Sequence, residues 1–173
     1  KGVGALYLKD RTPFSAQLVG GGQESARRSG TQNVMGAVGF AAACVEAGKN
    51  LEKEVLRLIE LRDYCYAELL KTGAAQPVVE VAPNDVTYAP HIVSVLVPGF
   101  ESATLILRFD NEGICVSGGS ACSSHSLDPS HVLKALNVEK NKALSALRVS
   151  LGSDTTKEDI DTFLAAFRRI IAK

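Results

Sequence analysis

The chain carries no excess of charge of either sign. Its 173 residues hold 19 lysines and arginines against 19 aspartates and glutamates, so no whole-chain field draws it to nucleic acid or to an anionic membrane. Long hydrophobic runs are also missing. The longest apolar stretch, from Val34 to Val45, is broken by Gly36 and Gly39 and falls short of the roughly 20 residues a spanning helix needs. The four cysteines, Cys44, Cys65, Cys115 and Cys122, form no CxxC pair, and no secretory signal is present; reduced thiols and a cytoplasmic location are expected. An initiator methionine is absent as well. Lys1 runs directly into the strand-like segment Gly2-Val3-Gly4-Ala5-Leu6-Tyr7-Leu8, so the chain is expected to be a piece of something longer. What is present suits a globular protein: 46% hydrophobic and 22% charged residues are enough to build a core.

Residue patterning predicts a short buried strand over 3–8 and a turn near Pro13. A polar, glycine-dense loop follows, containing Gly20-Gly21-Gly22-Gln23-Glu24-Ser25 and Arg27-Arg28-Ser29-Gly30-Thr31-Gln32-Asn33. It is too long for a simple connector. Small apolar residues from Val34 to Ala47 predict a helix buried on most sides, broken at Gly48 and Asn50. Leu51, Val55, Leu58, Ile59, Arg62, Cys65, Tyr66 and Leu69 recur at three- and four-residue steps, which predicts a long amphipathic helix ending at Gly73. Beyond it, strands are expected over 78–81, 91–97, 114–117 and 146–151. Helices are expected over 102–111, closed by Gly113, over 131–136, and over 156–172 behind a capping box of Thr155 and Glu158. The resulting architecture is α/β: residues 1–50 as the end of a larger domain, 51–73 as a connecting inter-lobe helix, and 74–173 as a small α+β domain with helices packed on a small sheet.

The segment Val116-Ser117-Gly118-Gly119-Ser120-Ala121-Cys122-Ser123-Ser124-His125 differs from the settings of the other cysteines. Cys44 and Cys65 fall on helix faces and Cys115 in an apolar strand, where a cysteine serves as a small hydrophobe. Cys122 has only glycine, serine and alanine around it. The residues alone allow either a structural or a reactive thiol there, and a thiol on such a loop can move between a substrate pocket and a second site. A zinc site from Cys122, His125 and His131 has poor spacing and lacks a fourth ligand; no metal is expected. His131 instead suits the first turn of a helix behind Ser130. The glycine-rich loop with its hydroxyls either cradles a phosphate by its amides or is an ordinary loop.

Four segments together resemble the NifS/IscS-type cysteine desulfurases of the class V aminotransferase superfamily. Residues 117–124 with Pro129-Ser130-His131-Val132-Leu133 are similar to the cysteine loop, in the long-loop form that lacks an arginine-threonine-glycine-histidine stretch before the cysteine. Residues 1–7 resemble the strand after the cofactor lysine, Gly20–Glu24 with Arg28–Thr31 the glycine-rich loop, and Leu147-Arg148-Val149-Ser150-Leu151-Gly152 the substrate-arginine strand. They follow the family's order along nearly the whole chain.

The resemblance implies the C-terminal part of a fold-type I transferase that depends on pyridoxal 5'-phosphate, converts L-cysteine to L-alanine and keeps the sulfur as a persulfide. It implies Cys122 as the nucleophile and Arg148 as the clamp on the substrate carboxylate, a task for which a guanidinium offers two parallel donors. Thr31 would bind the cofactor phosphate of the neighbouring subunit of a homodimer, with Arg28 adding positive charge nearby. A sulfur-acceptor protein is the implied partner, for iron–sulfur assembly or thiolation. A stand-alone sulfur-carrier or scaffold module, a class V aminotransferase and a selenocysteine lyase are the alternatives, and a transaminase has no use for the mobile thiol. The family's Schiff-base lysine lies upstream of the position matched by Lys1. The 173-residue chain by itself is therefore expected neither to hold the cofactor covalently nor to desulfurate cysteine. Mixing it with pyridoxal phosphate should give no absorption band that borohydride fixes, and the appearance of such a band overturns this expectation.

Overall fold

A computed structural model describes residues 2–118 and 130–172. They divide into two compact units, Lys1–Leu51 and Glu52–Lys173.

In the first unit, residues 3–8 are not a strand. A strand needs a neighbour to take up its N–H and C=O groups, and the described residues supply none, so the alternation of apolar residues there stays unpaired and Leu6 and Tyr7 are exposed. The glycine-dense loop folds instead around a single turn, α1 (Gln23–Ala26), of left-handed sense. Glu24, Ser25 and Ala26 all have positive φ, near 51°, 57° and 60°, and the Ala26 N–H reaches back to the Gly22 carbonyl at 3.0 Å. Such backbone costs a non-glycine residue about 1–2 kcal/mol, so neighbouring contacts must hold it.

Helix α2 (Val34–Lys71) starts where Asn33 accepts a hydrogen bond from the Gly36 N–H at 2.9 Å through its side-chain oxygen, an N-terminal cap. The helix is continuous, contrary to the break expected at Gly48 and Asn50. A glycine inside a helix costs about 1 kcal/mol relative to alanine, too little to interrupt a cooperative helix of 38 residues. Nor is its first half buried on most sides: Val34, Met35, Val38 and Val45 are exposed. Its second half carries the amphipathic face read from the sequence, with Leu58, Ile59, Arg62, Cys65 and Leu69 buried.

The second unit is an antiparallel sheet with helices. Strands β1 (Gln76–Pro77), β2 (Ile92–Leu96) and β3 (Ala146–Ser150) lie in the order β1-β2-β3. Between them run α3 (Ser102–Asn111), α4 (His131–Ala135) and α5 (Lys140–Ala143), and α6 (Lys157–Ile171) closes the chain. Strand β1 sits before the segment expected over 78–81, because the chain bends after Pro77 and only the Val78 N–H still reaches β2, at the Ser94 carbonyl, 3.1 Å away. Helix α3 ends as read: Gly113, at φ 75°, lets the Ile114 N–H return to the Phe109 carbonyl and its own N–H to that of Asp110, both at 2.9 Å. The capping box of α6 is one residue later than expected. Thr156 and Asp159 exchange the two bonds, while Thr155 turns its hydroxyl to the Gly152 N–H at 2.8 Å.

Alternation along the strands sends Val93, Val95 and Leu147 to one face, where they join Cys65, Leu69, Leu105, Phe109, Phe163 and Phe167 in the main core. The rings of Phe109 and Phe163 stack at 5.2 Å between centroids. On the other face Leu96 and Ala146 meet Leu133 and Ala143. Because β1 is so short, it leaves the Ser94 N–H without a strand partner, and the Tyr66 hydroxyl of α2 accepts that bond at 2.9 Å. Removing the hydroxyl by Tyr66→Phe should strand the amide and cost about 1–3 kcal/mol. This is readable as a lower urea midpoint at constant slope; an unmoved midpoint would mean that the amide has another acceptor.

Candidate functional site

Strand β3 is flanked on both sides. On one it pairs with β2 in the register Ser94↔Arg148; on the other, Arg148 exchanges both main-chain bonds with Ser117, N–H to carbonyl at 2.5 Å one way and 3.1 Å the other. Residues 114–117 therefore form a single bridge where a strand was expected. The main chain of Ser94 points away from β3, to Tyr66 and Val78, so Ser94 and Arg148 are a non-hydrogen-bonded pair, with Cα atoms about 4.5 Å apart and side chains on the same face. Directly opposed residues share a face, which places Ser94, Arg148 and Ser117 in a row across the sheet, on the side away from the phenylalanine core.

Arg148 is half-buried. Its Nε is fully buried and meets no hydrogen-bond partner among the described residues. An unsatisfied guanidinium nitrogen in such a place is expensive, and a carboxylate is the group whose two oxygens match it. The segment that carries Cys122 starts from Ser117, the residue bridged to this arginine. Its start is pinned: Ser102 at the head of α3 donates its hydroxyl to the Ala146 carbonyl and its N–H to that of Leu144 at 2.8 Å, and Gly118 lies against it. A Cβ on Gly118 would stand 2.5 Å from the Ser102 Cβ. Cys122 and His125 lie outside the described residues. His131 opens α4, where the Ser130 hydroxyl accepts from the Val132 N–H at 3.3 Å. No cluster of metal-ligating side chains occurs among the described residues.

The remaining cysteines divide. Cys65 is fully buried, and burial pushes its thiol up to about 12; it remains a neutral packing group. Cys44 and Cys115 are exposed, the latter because the bridge at Ser117 never extends back to it.

Arg28 and Thr31 both belong to the first unit, three residues apart. Arg28 folds back, its Nη1 donating to the Ser29 carbonyl at 2.8 Å, and Gly30, at φ 112°, gives its N–H to the Gln23 side chain at 3.2 Å. A Cβ on Gly30 would come within 2.8 Å of that arginine nitrogen. Thr31 is exposed. Gln23, unassigned in the sequence, thus links the left-handed turn to this loop. Ser94 was likewise missed: inside the apolar run Ile92-Val93-Ser94-Val95-Leu96 it reads as a strand residue and nothing more, and only the register brings it to Arg148.

Solved structures share the fold. A NifS-like protein superposes with a TM-score of 0.79 at 31% identity, over 96% of this chain and 41% of its own. A second NifS-like protein, from Rickettsia africae, gives 0.75 at 28%, over 92% and 40%. The class so defined is that of the NifS-like, pyridoxal-phosphate-dependent enzymes, here as an α+β portion of their fold. The chain belongs to the aminotransferase class-V family, whose model matches residues 1–163. Curated relatives narrow the likeness: cysteine desulfurase IscS of Dictyoglomus turgidum is 41% identical over the whole of this chain, and that of Methanosarcina thermophila 38%. The chain spans about 43% of the length of the first of these.

Gly118→Ala should cost about 1–3 kcal/mol by overpacking. Thermal denaturation of the single variants and of the pair with Ser102→Gly should show the double variant less destabilised than the sum; strict additivity would separate the two positions.

Proposed function

We propose that this chain is the sulfur-collecting portion of a pyridoxal-phosphate-dependent cysteine desulfurase, which takes L-cysteine to L-alanine and holds the sulfur as a persulfide on Cys122. The observation that carries the reading is Arg148, bridged to Ser117 at the start of the cysteine segment, with a buried Nε that meets no partner among the described residues. It provides for a substrate carboxylate within tether length of a thiol: the five residues from Ser117 to Cys122 span at most about 18 Å.

The residues of the glycine-rich loop fit a phosphate. Thr31 offers an exposed hydroxyl, Arg28 a cation three positions away, and Gly30 a backbone turn in which a side chain would collide with that arginine. In the homodimer we propose, Thr31 and Arg28 would hold the phosphate of the cofactor seated in the neighbouring subunit. When bound, pyridoxal phosphate supplies an electron sink for the pair released as the substrate's carbon–sulfur bond breaks.

Arg148 binds the substrate carboxylate in two parallel bonds and fixes the orientation of the thiol-bearing side chain. Cys122, as the thiolate, attacks the substrate sulfur: a sulfur–sulfur bond forms, the carbon–sulfur bond breaks, and a proton completes alanine. The persulfide on Cys122, among small residues with glycines before it and serines on both sides, then passes to an acceptor protein, where thiol–disulfide chemistry hands the outer sulfur on. The setting is a reducing cytoplasm, and no described helix is long and apolar enough to cross a membrane.

In the intact protein, Cys122→Ala should abolish the protein-bound persulfide formed from L-cysteine, detected by mass spectrometry of alkylated peptides. Unchanged release of sulfide by that variant would instead identify a lyase that works without the thiol. Persulfide loading from an external donor, with none formed from L-cysteine by the wild-type protein, would identify a carrier.

A further inference from the structure

The row Ser94–Arg148–Ser117 contains a group that the reading above leaves unused. Ser94 is the single polar residue of β2, whose other members are Ile92, Val93, Val95 and Leu96. It is half-buried. Its backbone is fully committed: the N–H goes to Tyr66 at 2.9 Å and the carbonyl receives Val78 at 3.1 Å. Its hydroxyl makes no hydrogen bond among the described residues, and its neighbours along the same face are Ile92 and Leu96. A lone polar side chain in an otherwise apolar strand, opposite Arg148 and with its hydroxyl unengaged among the described residues, is available to a ligand held there.

From this we infer that Ser94 is a second substrate-binding residue, whose hydroxyl donates to the carboxylate held by Arg148. The inference rests on the assignment of Arg148 to the substrate carboxylate. The Arg148 nitrogen that is buried without a hydrogen-bond partner among the described residues is Nε, the one nearest the sheet. A carboxylate taken side-on by Nε and a terminal nitrogen therefore sits low over the strand pair, close to the row in which Ser94 stands directly opposite Arg148. The guanidinium uses one lone pair on each carboxylate oxygen, which leaves others free to accept a hydroxyl. Tyr66 acts one step back as a positioning residue: by holding the Ser94 N–H it fixes the strand at the point where β1 has ended.

The intact protein loaded with pyridoxal phosphate tests this with Arg148→Gln, Ser94→Ala and Ser94→Thr. Two readouts are needed: kcat and KM for L-cysteine, and the calorimetric affinity for two fragments of the substrate. One fragment is 3-mercaptopropionate, which keeps the carboxylate and lacks the amine; the other is cysteamine, which keeps the amine and lacks the carboxylate. Loss of a hydrogen bond to a charged group predicts that Ser94→Ala raises KM and weakens 3-mercaptopropionate roughly ten- to a hundred-fold. Cysteamine binding should not move, and Ser94→Thr, which keeps the hydroxyl, should restore both values. If Arg148→Gln weakens 3-mercaptopropionate and Ser94→Ala does not, Ser94 has no part in binding and the inference fails while the assignment of Arg148 stands. If Arg148→Gln leaves 3-mercaptopropionate unaffected, the assignment itself falls, and the inference with it. Equal weakening of both fragments by Ser94→Ala, unrepaired by threonine, would mark a purely structural residue and also overturns the inference.

Discussion

The hydrogen bonding of one residue's main chain organises the second unit around β3. Arg148 spends its N–H and carbonyl on Ser117, not on β2, and this choice has three effects. It makes Ser94 a close, non-hydrogen-bonded neighbour; it brings the start of the cysteine segment to the sheet; and it turns the guanidinium to the face opposite the phenylalanine cluster. A shift of one residue in register would send the arginine into the core and a valine or leucine to the open face. The tight seat of Gly118 against Ser102 and the bond from Ser102 to Ala146 hold the pairing in place from the side.

Two arginines of α2 secure the same end of the sheet. Arg57 gathers the carbonyls of Gly152, Ser153 and Thr155, at 2.6 to 3.1 Å, just beyond β3. Its pair with Glu54 holds that carboxyl below the usual carboxylate range. Arg62, wholly buried, donates to the carbonyls of Asp85 and Tyr88 ahead of β2 and to Asp63, whose other oxygen accepts from the Asn84 N–H at 2.6 Å. Burying a guanidinium is tolerable only where partners replace water. Here the partners are loop carbonyls that no strand would otherwise satisfy, together with the Asp63 carboxylate, 2.8 Å from Nη2. Because β2 begins where β3 ends, with Ile92 opposite Ser150, one helix thus fastens both loops at that edge.

Elements whose signals are local were legible in the sequence. Helix α3 matches its expected span, and β2, β3, α4 and α6 fall within a residue of theirs, because periodicity, a left-handed glycine and a capping pattern all act over a few positions. Thr155 and Thr156 both precede an acidic residue at the right spacing, so the box could be read one position early; only the contact of Thr155 with Gly152 separates them. Apart from that box and the break expected at Gly48 and Asn50, the failures are non-local. Residues 3–8 have strand composition without a strand to pair with, and the apolar start of α2 implied burial that the described residues do not provide. The same division runs through the site. Arg148 was nominated by resemblance, since an arginine in a strand is unremarkable by itself, while Ser94 needed the register and could not be seen in a one-dimensional pattern.

The phenol of Tyr66 has a further effect besides replacing a missing ladder bond. A strand as short as β1 leaves its neighbour open to recruitment, and exposed edges of apolar strands are where chains join end to end into aggregates. An extended peptide approaching β2 past Pro77 finds the Ser94 amide already taken by a helix, and a proline that cannot donate in the strand beside it. The sheet is thus guarded against strand addition there by a side chain, while its far side is closed at Arg148 by the bridge to Ser117.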